Sequence, residues 1–267
     1  MGVTILRMAL QLAADRGKVA RNVARTVERP STTRKKRDAP DANKVRALLR
    51  AVEDDMRLQV FILLTLGLGF RKGEALGLQW QDINLETGEI TVNRHVVHLN
   101  AAYGVLQQRE GAKTAAGERE SPIHELLSTA LQRLSRLQKE EYVAGVWAKT
   151  RARLTSARKY DNPSAPPNDP RCWVLATRSG TMPSPDNITR DFKALCVRAG
   201  LGDRQTIHGL RHDYASLLAE VGVPVRVAME LLGHSNELMT VYYQHVSHAA
   251  KREAVSKVGD WLQQVSG

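Results

Sequence analysis

Only two of the 267 residues are cysteine, Cys172 and Cys196, and they stand alone. That excludes a disulfide framework or a thiolate zinc site, both of which need clustered cysteines, and it fits a reducing cytoplasm. Long apolar runs are missing too. The longest, VFILLTLGLGF from Val60 to Phe70, falls well short of the ~20 residues a membrane span requires, so it predicts a buried helix and no membrane partner. MALQLAA behind Arg7 is too short for a signal peptide core and is followed at once by Asp15, Arg16 and Lys18, which suits an amphipathic helix. Negative charge is scarce: 28 acidic residues face 39 basic ones, for a net charge of +11 and a pI of 9.9. Such an excess predicts a polyanionic partner. It is concentrated at the start, where Met1 to Asp38 hold ten Lys and Arg against three acidic residues.

What remains is ordinary, with 42% hydrophobic and 25% charged residues, enough for one large domain and part of another. Ile5, Leu6, Ala9, Leu10 and Ala13 recur at helical spacing before Gly17, predicting one helix over residues 1–26 without companions. From Glu28 to Pro40, ERPSTTRKKRDAP has two prolines, no apolar period and the basic run Arg34, Lys35, Lys36 and Arg37, so residues 27–40 read as a basic linker. A solvated charge run is the plain alternative. Its place in a hinge beside other basic residues favours DNA contact.

Beyond the linker, Val45, Leu48, Leu49 and Val52 mark a helix, and Arg57 to Leu68 a second, mostly buried one. Strand composition follows in LETGEITV, His95–Leu99, Gly104–Gln108 and Arg119–Ile123, predicting one small antiparallel sheet. Helix returns near His124, with Leu127, Leu131 and Leu134 on one face. Arg158 to Arg171 reads as a surface loop and WVLAT from Trp173 as a short strand. After Asp186 the pattern is helical throughout. In the tail, Val255, Val258, Trp261, Leu262 and Val265 share one helical face, which suits packing on this chain or on a neighbouring subunit equally.

Two further cationic stretches join the basic opening. In GLGFRKGEALGLQW, Gly67 and Gly69 break the buried helix just before Arg71, a geometry that can present an arginine at a helix terminus. In HGLRHDYASLL, His208, Arg211 and His212 fall within about one helical turn. The i, i+4 histidines do not make a zinc protease site, because Gly209 stands where the general-base Glu belongs and Arg211 would put a cation beside a dication. Arginine and histidine on one turn suit a phosphate, to which guanidinium donates paired bonds while staying charged.

These stretches, followed by LLGHSNELMTVYYQHV in the same order, resemble the catalytic domain of the tyrosine recombinase, or phage integrase, family over nearly the whole span from Asp41 onward. The resemblance implies a mixed, mainly α fold, helical with a small antiparallel β-sheet. It also implies roles. Arg71 and Arg211 would clamp the scissile phosphate, His208 would act as general acid and base, and His234 would donate a further hydrogen bond. Lys113 would protonate the leaving 5′ oxygen, Glu74 would buttress Arg71, and His212 would support helix packing. The family pattern aligns YQHV so that Tyr243 is the nucleophile; Tyr242 then points ~100° away around a helix.

The implied activity is site-specific cleavage and rejoining of DNA through a 3′-phosphotyrosine intermediate, with no cofactor and no divalent metal. Double-stranded attachment sites, a homo-tetramer on DNA, an accessory DNA-bending protein and a nucleoid-associated cytoplasmic location go with it. By the same resemblance residues 1–26 match the last helix of a core-binding domain, 41–246 the catalytic domain and 247–267 a tail helix, so weak, salt-sensitive DNA binding is expected of this chain alone. Two other readings stay open: a type IB topoisomerase-like nicking and religating enzyme, and a non-catalytic DNA-binding regulator of the same fold.

Overall fold

The computed structural model describes residues 2–27, 41–98, 106–110, 118–149, 165–202, 205–233 and 248–266. Contacts divide the chain into two units, Met1–Arg37 and Asp38–Gly267. In the first, α1 (Gly2–Asp15) stops where the Gly17 and Lys18 N–H groups turn back to Ala14 O and Ala13 O, with Gly17 at φ +64°. No side chain of α1 is buried, and Ile5, Leu6, Met8 and Leu12 lie exposed. Polar bonds hold a short 3-10 turn, Val23–Thr26, against the helix: Arg7 Nε donates to Ala24 O at 2.7 Å and Asn22 Nδ2 to Arg7 O at 2.9 Å.

In the second unit, helices begin where a side chain accepts an N–H that the first turn leaves unpaired. Asp41 caps α2 (Ala42–Ala51) and Asp55 caps α3 (Met56–Ile62). The apolar run beyond Ile62 stays helical but widens into a π-turn, Leu63–Gly67, around Thr65, whose hydroxyl donates back to Phe61 O and Ile62 O. Every residue of that turn is buried. After it come α4 (Lys72–Leu76), a 3-10 turn at Trp80–Asp82, and the strands β1 (Ile83–Asn84), β2 (Glu89–Val92), β3 (Arg94–His98), β4 (Leu106–Glu110) and β5 (Arg119–Pro122).

Among the described residues the strands form two sheets where the sequence predicts one. An antiparallel sheet of order β1-β2-β5 sets Val92 opposite Arg119, while β3 and β4 pair separately with Arg94 opposite Glu110. β3 instead lies against α4, so tightly that a Cβ on Gly73 would stand 2.6 Å from Val96 O. The predicted strand at Trp173–Thr177 is absent as well. Only Trp173 bridges to Gln79, and Ala176 then turns back to Trp173. The segment is apolar because it is buried under α5 (Glu125–Val143), whose Gln138 Nε2 donates to Val174 O at 2.8 Å in place of a strand neighbour.

Further helices described in the unit are α6 (Pro185–Arg198), α7 (Ile207–Glu220), α8 (Val225–Leu232) and α9 (His248–Ser266). One core runs through them, with Tyr214, Phe61, Phe70 and Phe192 its largest buried side chains. The tail helix α9 contributes Val255, Val258, Leu262 and Val265 to that core and so packs on its own chain, against α2, α5 and β5. Among the described residues no helix is long and apolar enough to cross a membrane.

Seating α9 depends on His124, which caps α5 through Nδ1 and is sandwiched between two glycines. A Cβ on Gly67 would stand 2.6 Å from His124 Nε2, and one on Gly259 2.6 Å from His124 Cβ. Burial holds the imidazole near pKa 4, hence neutral around pH 7. Gly259→Ala improves helix propensity yet drives a methyl into a Cβ that no rotamer can move. Net destabilisation of about 1–3 kcal/mol is expected in urea unfolding; an unchanged or stabilised variant would contradict this seating of α9.

Candidate active site

The buried helix must end sharply for Arg71 to reach a surface. It does so at Gly69, where φ is +67° and where any side chain would run into the Tyr214 ring. Phe70 N–H then closes back on Leu64 O at 3.0 Å, and Arg71 becomes the first flanking residue of α4. Three residues on, Glu74 reaches back. Its Oε2 accepts the Arg71 backbone N–H at 2.9 Å and its Oε1 the Arg71 guanidinium at 2.6 Å. A second guanidinium, from Arg119 at the start of β5, donates to Oε2 at 2.8 Å. The Glu74 and Arg119 side chains are only 9% and 3% exposed, whereas Arg71 remains 44% exposed, so the buried pair backs an arginine that faces outward.

Arg211, on α7, is brought to the same place. It is buried, and its two terminal nitrogens donate to Gly69 O and Leu232 O. The end of α8 thereby receives three arginines on three successive carbonyls. Arg119 Nε binds Leu231 O at 3.0 Å, Arg211 binds Leu232 O, and Arg71 Nη2 binds Gly233 O at 3.0 Å. Those carbonyls have no partner within the helix, which ends at the left-handed Gly233 (φ +59°).

The electrostatics are unbalanced by design of the fold. Burial, followed by the charge of nearby Arg71, pulls Arg211 down to about 10, so it stays cationic at neutral pH while carrying a desolvation cost. Burial alone would push the Glu74 carboxyl up, but the Arg119 charge and the bonds from Arg119 and Arg71 hold it at about 2. One carboxylate thus serves two buried or half-buried guanidiniums directly and a third through space. An anion between Arg71 and Arg211 would relieve the excess.

His208 stands one turn before Arg211, exposed, and with Arg71, Lys72, Lys193, Gln205 and Thr206 it lines a hollow of about 440 Å³. His212, expected to support helix packing, is instead exposed, its ring edge-on to His208 at 4.4 Å. The inner side of α7 is taken by Arg211, Tyr214 and Leu218, which leaves positions 208 and 212 on the outer side. Burial raises the Tyr214 phenol, whose oxygen has no hydrogen-bond partner among the described residues.

The structure therefore brings together Arg71, Glu74, Arg211 and His208 from segments far apart in sequence. Lys113, His234, Tyr242 and Tyr243 lie outside the described residues, as do Arg34, Lys35, Lys36 and Arg37. Sequence reasoning missed Arg119. Its signal was alternation: Arg119 and Ser121 share the inward parity of β5, and an arginine on that side needs a buried partner. Its guanidinium also lies 5.3 Å from the Phe70 ring centroid.

Because Glu74 has a folded-state pKa below its ordinary 4.5, its contribution to stability is complete above that value and disappears as pH falls toward 2. For wild type relative to Glu74→Gln, the unfolding free-energy advantage should be about 3 kcal/mol larger near pH 6 than near pH 2. Urea titrations across that range test it, and a difference that does not vary with pH would refute the assignment.

Known proteins match most of this chain. The phage integrase family profile matches residues 40–250. A tyrosine recombinase XerC-like protein of Caldanaerobacter subterraneus subsp. tengcongensis is 32% identical over 212 residues, covering 76% of this chain and 49% of its own length. An integrase of Staphylococcus phage L54a is 25% identical over 193 residues, covering 71% and 48%. The chain thus spans about half the length of these curated relatives. The Tn1549 transposon integrase, solved in complex with a circular intermediate DNA, shares the fold with a TM-score of 0.65 at 21% identity, over 96% of this chain and 78% of that one. With a profile that runs from before α2 into α9, and a 32% identical relative matching 76% of this chain, the chain belongs to the phage integrase family.

Proposed function

We propose that this chain is the catalytic part of a site-specific DNA recombinase, which cuts and rejoins duplex DNA through a 3′-phosphotyrosine intermediate. The observation that carries the reading is the pair Arg71 and Arg211, held side by side at the mouth of a hollow with His208 beside them and, among the described residues, more positive charge than Glu74 alone matches. Among the described residues each guanidinium uses two of its five N–H groups on protein acceptors, which leaves donors for a phosphate. Fixed cations of this kind act most strongly on charge that builds in the transition state.

In this mechanism the Tyr243 oxygen attacks the scissile phosphorus, its proton passing to His208. The bond from phosphorus to the 5′ oxygen breaks, and Lys113 supplies the proton that turns the leaving group into a 5′ hydroxyl. Arg71, Arg211 and His234 hold the non-bridging oxygens. Attack by a second 5′ hydroxyl on the phosphotyrosine reverses these steps, so the ester energy is retained and neither ATP nor a divalent metal is needed. Residues 41–246 form the catalytic domain in this reading, 1–26 the last helix of a core-binding domain, 27–40 a DNA-contacting linker and 247–267 the tail helix. The partners are attachment-site duplexes, which the DNA complex of the Tn1549 relative supports, with further copies as a tetramer, an accessory DNA-bending protein and the cytoplasm as the setting.

The test is covalent trapping on nicked suicide duplexes in EDTA, screened over candidate attachment sequences. Wild type and Tyr242→Phe should form a DNA adduct and Tyr243→Phe none; loss only in Tyr242→Phe would move the nucleophile by one residue. Arg211→Lys keeps a charge but loses the paired donors, and adduct formation should slow by ~10² to 10³. No adduct from wild type on any duplex, including in the presence of a complete core-binding domain, would favour a non-catalytic regulator.

A further inference from the structure

Arg119 is, with Arg211, one of the two buried arginines at this site, its side chain only 3% exposed. Its contacts are nevertheless to both halves of the machinery. One nitrogen, Nη2, holds the Glu74 oxygen that also accepts the Arg71 backbone N–H, at 2.8 and 2.9 Å. Another, Nε, holds Leu231 O at 3.0 Å, two residues before the Gly233 carbonyl that Arg71 binds. The face of the same guanidinium lies over Phe70, the residue immediately before Arg71. Arg71 is therefore fixed at its backbone, at its guanidinium and at its far acceptor, and each of these three supports leads back to Arg119.

We infer that Arg119 is a positioning residue for the phosphate site: a buried guanidinium that joins β5, α4 and α8 and so sets where Arg71 presents its donors. The inference rests on the recombinase reading of that site. Physically, Glu74 alone could not do this. A carboxylate with one exposed arginine as partner would be free to follow Arg71 into solvent, and the end of α8 would be tied to the turn before α4 through Arg211 and Arg71 but not to Glu74. Arg119 restrains Glu74, since leaving would take a charged acceptor away from a buried guanidinium. It also ties the α8 carbonyls to the same anchor, so that Arg71 is bracketed by two acceptors whose separation is fixed. A flat fork that bonds in two directions at once is the only side chain that suits this post, because a lysine amine can satisfy one of the two acceptors but not hold both in one plane.

Arg119→Lys keeps the charge opposite Glu74 and the contact with Phe70 while removing the bridge. On a suicide duplex that wild type cleaves, single-turnover adduct formation at saturating DNA should slow by about 10- to 100-fold, the cost of a misplaced donor, with DNA affinity within about two-fold. In an Arg71→Lys background the same change should cost less than about three-fold, because the residue it positions is already lost. A merely structural role predicts a different pattern: a lower melting temperature and the same fold-loss in both backgrounds, which would overturn the inference. So would a rate for Arg119→Lys within two-fold of wild type. Arg119→Gln, which can still donate to one acceptor without charge, repeats the test if Arg119→Lys does not fold, and failure of both to fold would assign Arg119 to stability alone. A wild type that forms no adduct overturns the recombinase reading and the inference with it, whereas a wild-type adduct with an unaffected Arg119→Lys overturns only the inference.

Discussion

Three guanidinium groups on three consecutive carbonyls at the end of α8 are the constraint from which the rest of the site follows. A helix end offers carbonyls that its own backbone cannot satisfy, and water would ordinarily take them. Here arginines from β5, α7 and the turn before α4 take them instead, so four segments of chain are locked to one another by a single short stretch, Leu231–Gly233. The arrangement fixes cations in space without neutralising them, since a carbonyl dipole accepts hydrogen bonds but brings no net charge.

That distinction explains why these arginines are held by carbonyls as well as by Glu74. Had each arginine been paired with its own acidic residue, the site would be stable and inert toward a phosphate. Glu74 is the carboxylate that faces the cluster, and it is held so firmly by Arg71 and Arg119 that it serves as part of the frame. The positive excess costs stability that a large apolar core offsets: Phe61, Phe70, Phe192 and Tyr214 are all fully buried, and α9 adds Val255, Val258 and Leu262. Burial and cationic neighbours cost Arg211 some of its affinity for a proton, but not its charge near neutral pH. Hydrophobic packing elsewhere thus supports a local electrostatic strain that an incoming anion is suited to release.

Glycines do comparable work by absence. Gly69 gives room to the Tyr214 ring, Gly73 to the backbone of β3, and Gly67 with Gly259 to His124. Each lies where a helix or turn that carries or supports the site must approach another segment more closely than a Cβ permits. The π-turn at Leu63–Gly67 belongs to the same logic, since it adjusts the exit of the buried helix just before the turn that delivers Arg71.

Much of this was legible along the chain. The helical periods at Val45–Val52, Leu127–Leu134 and Val255–Val265 gave true buried faces, because a repeated apolar spacing has few other uses. Gly69 before Arg71 and the i, i+3 spacing of His208 and Arg211 pointed to the site through local geometry. What could not be read were facts about partners. WVLAT looked like a strand because burial and β-structure favour the same residues, and only Gln138, 35 residues upstream, shows which applies. His212, expected to support helix packing, lies exposed on the outer side of α7, and Arg119 reads in the sequence as an ordinary strand arginine. By itself the sequence determined the helices, their buried faces and the candidate residues on α4 and α7, since those depend on neighbours three or four positions away. Only the tertiary structure decided which charges share an acceptor, because Glu74, Arg119, Arg211 and Leu231–Gly233 meet across as many as 160 or so residues of chain, and hydrogen bonds at that separation leave no period in the sequence.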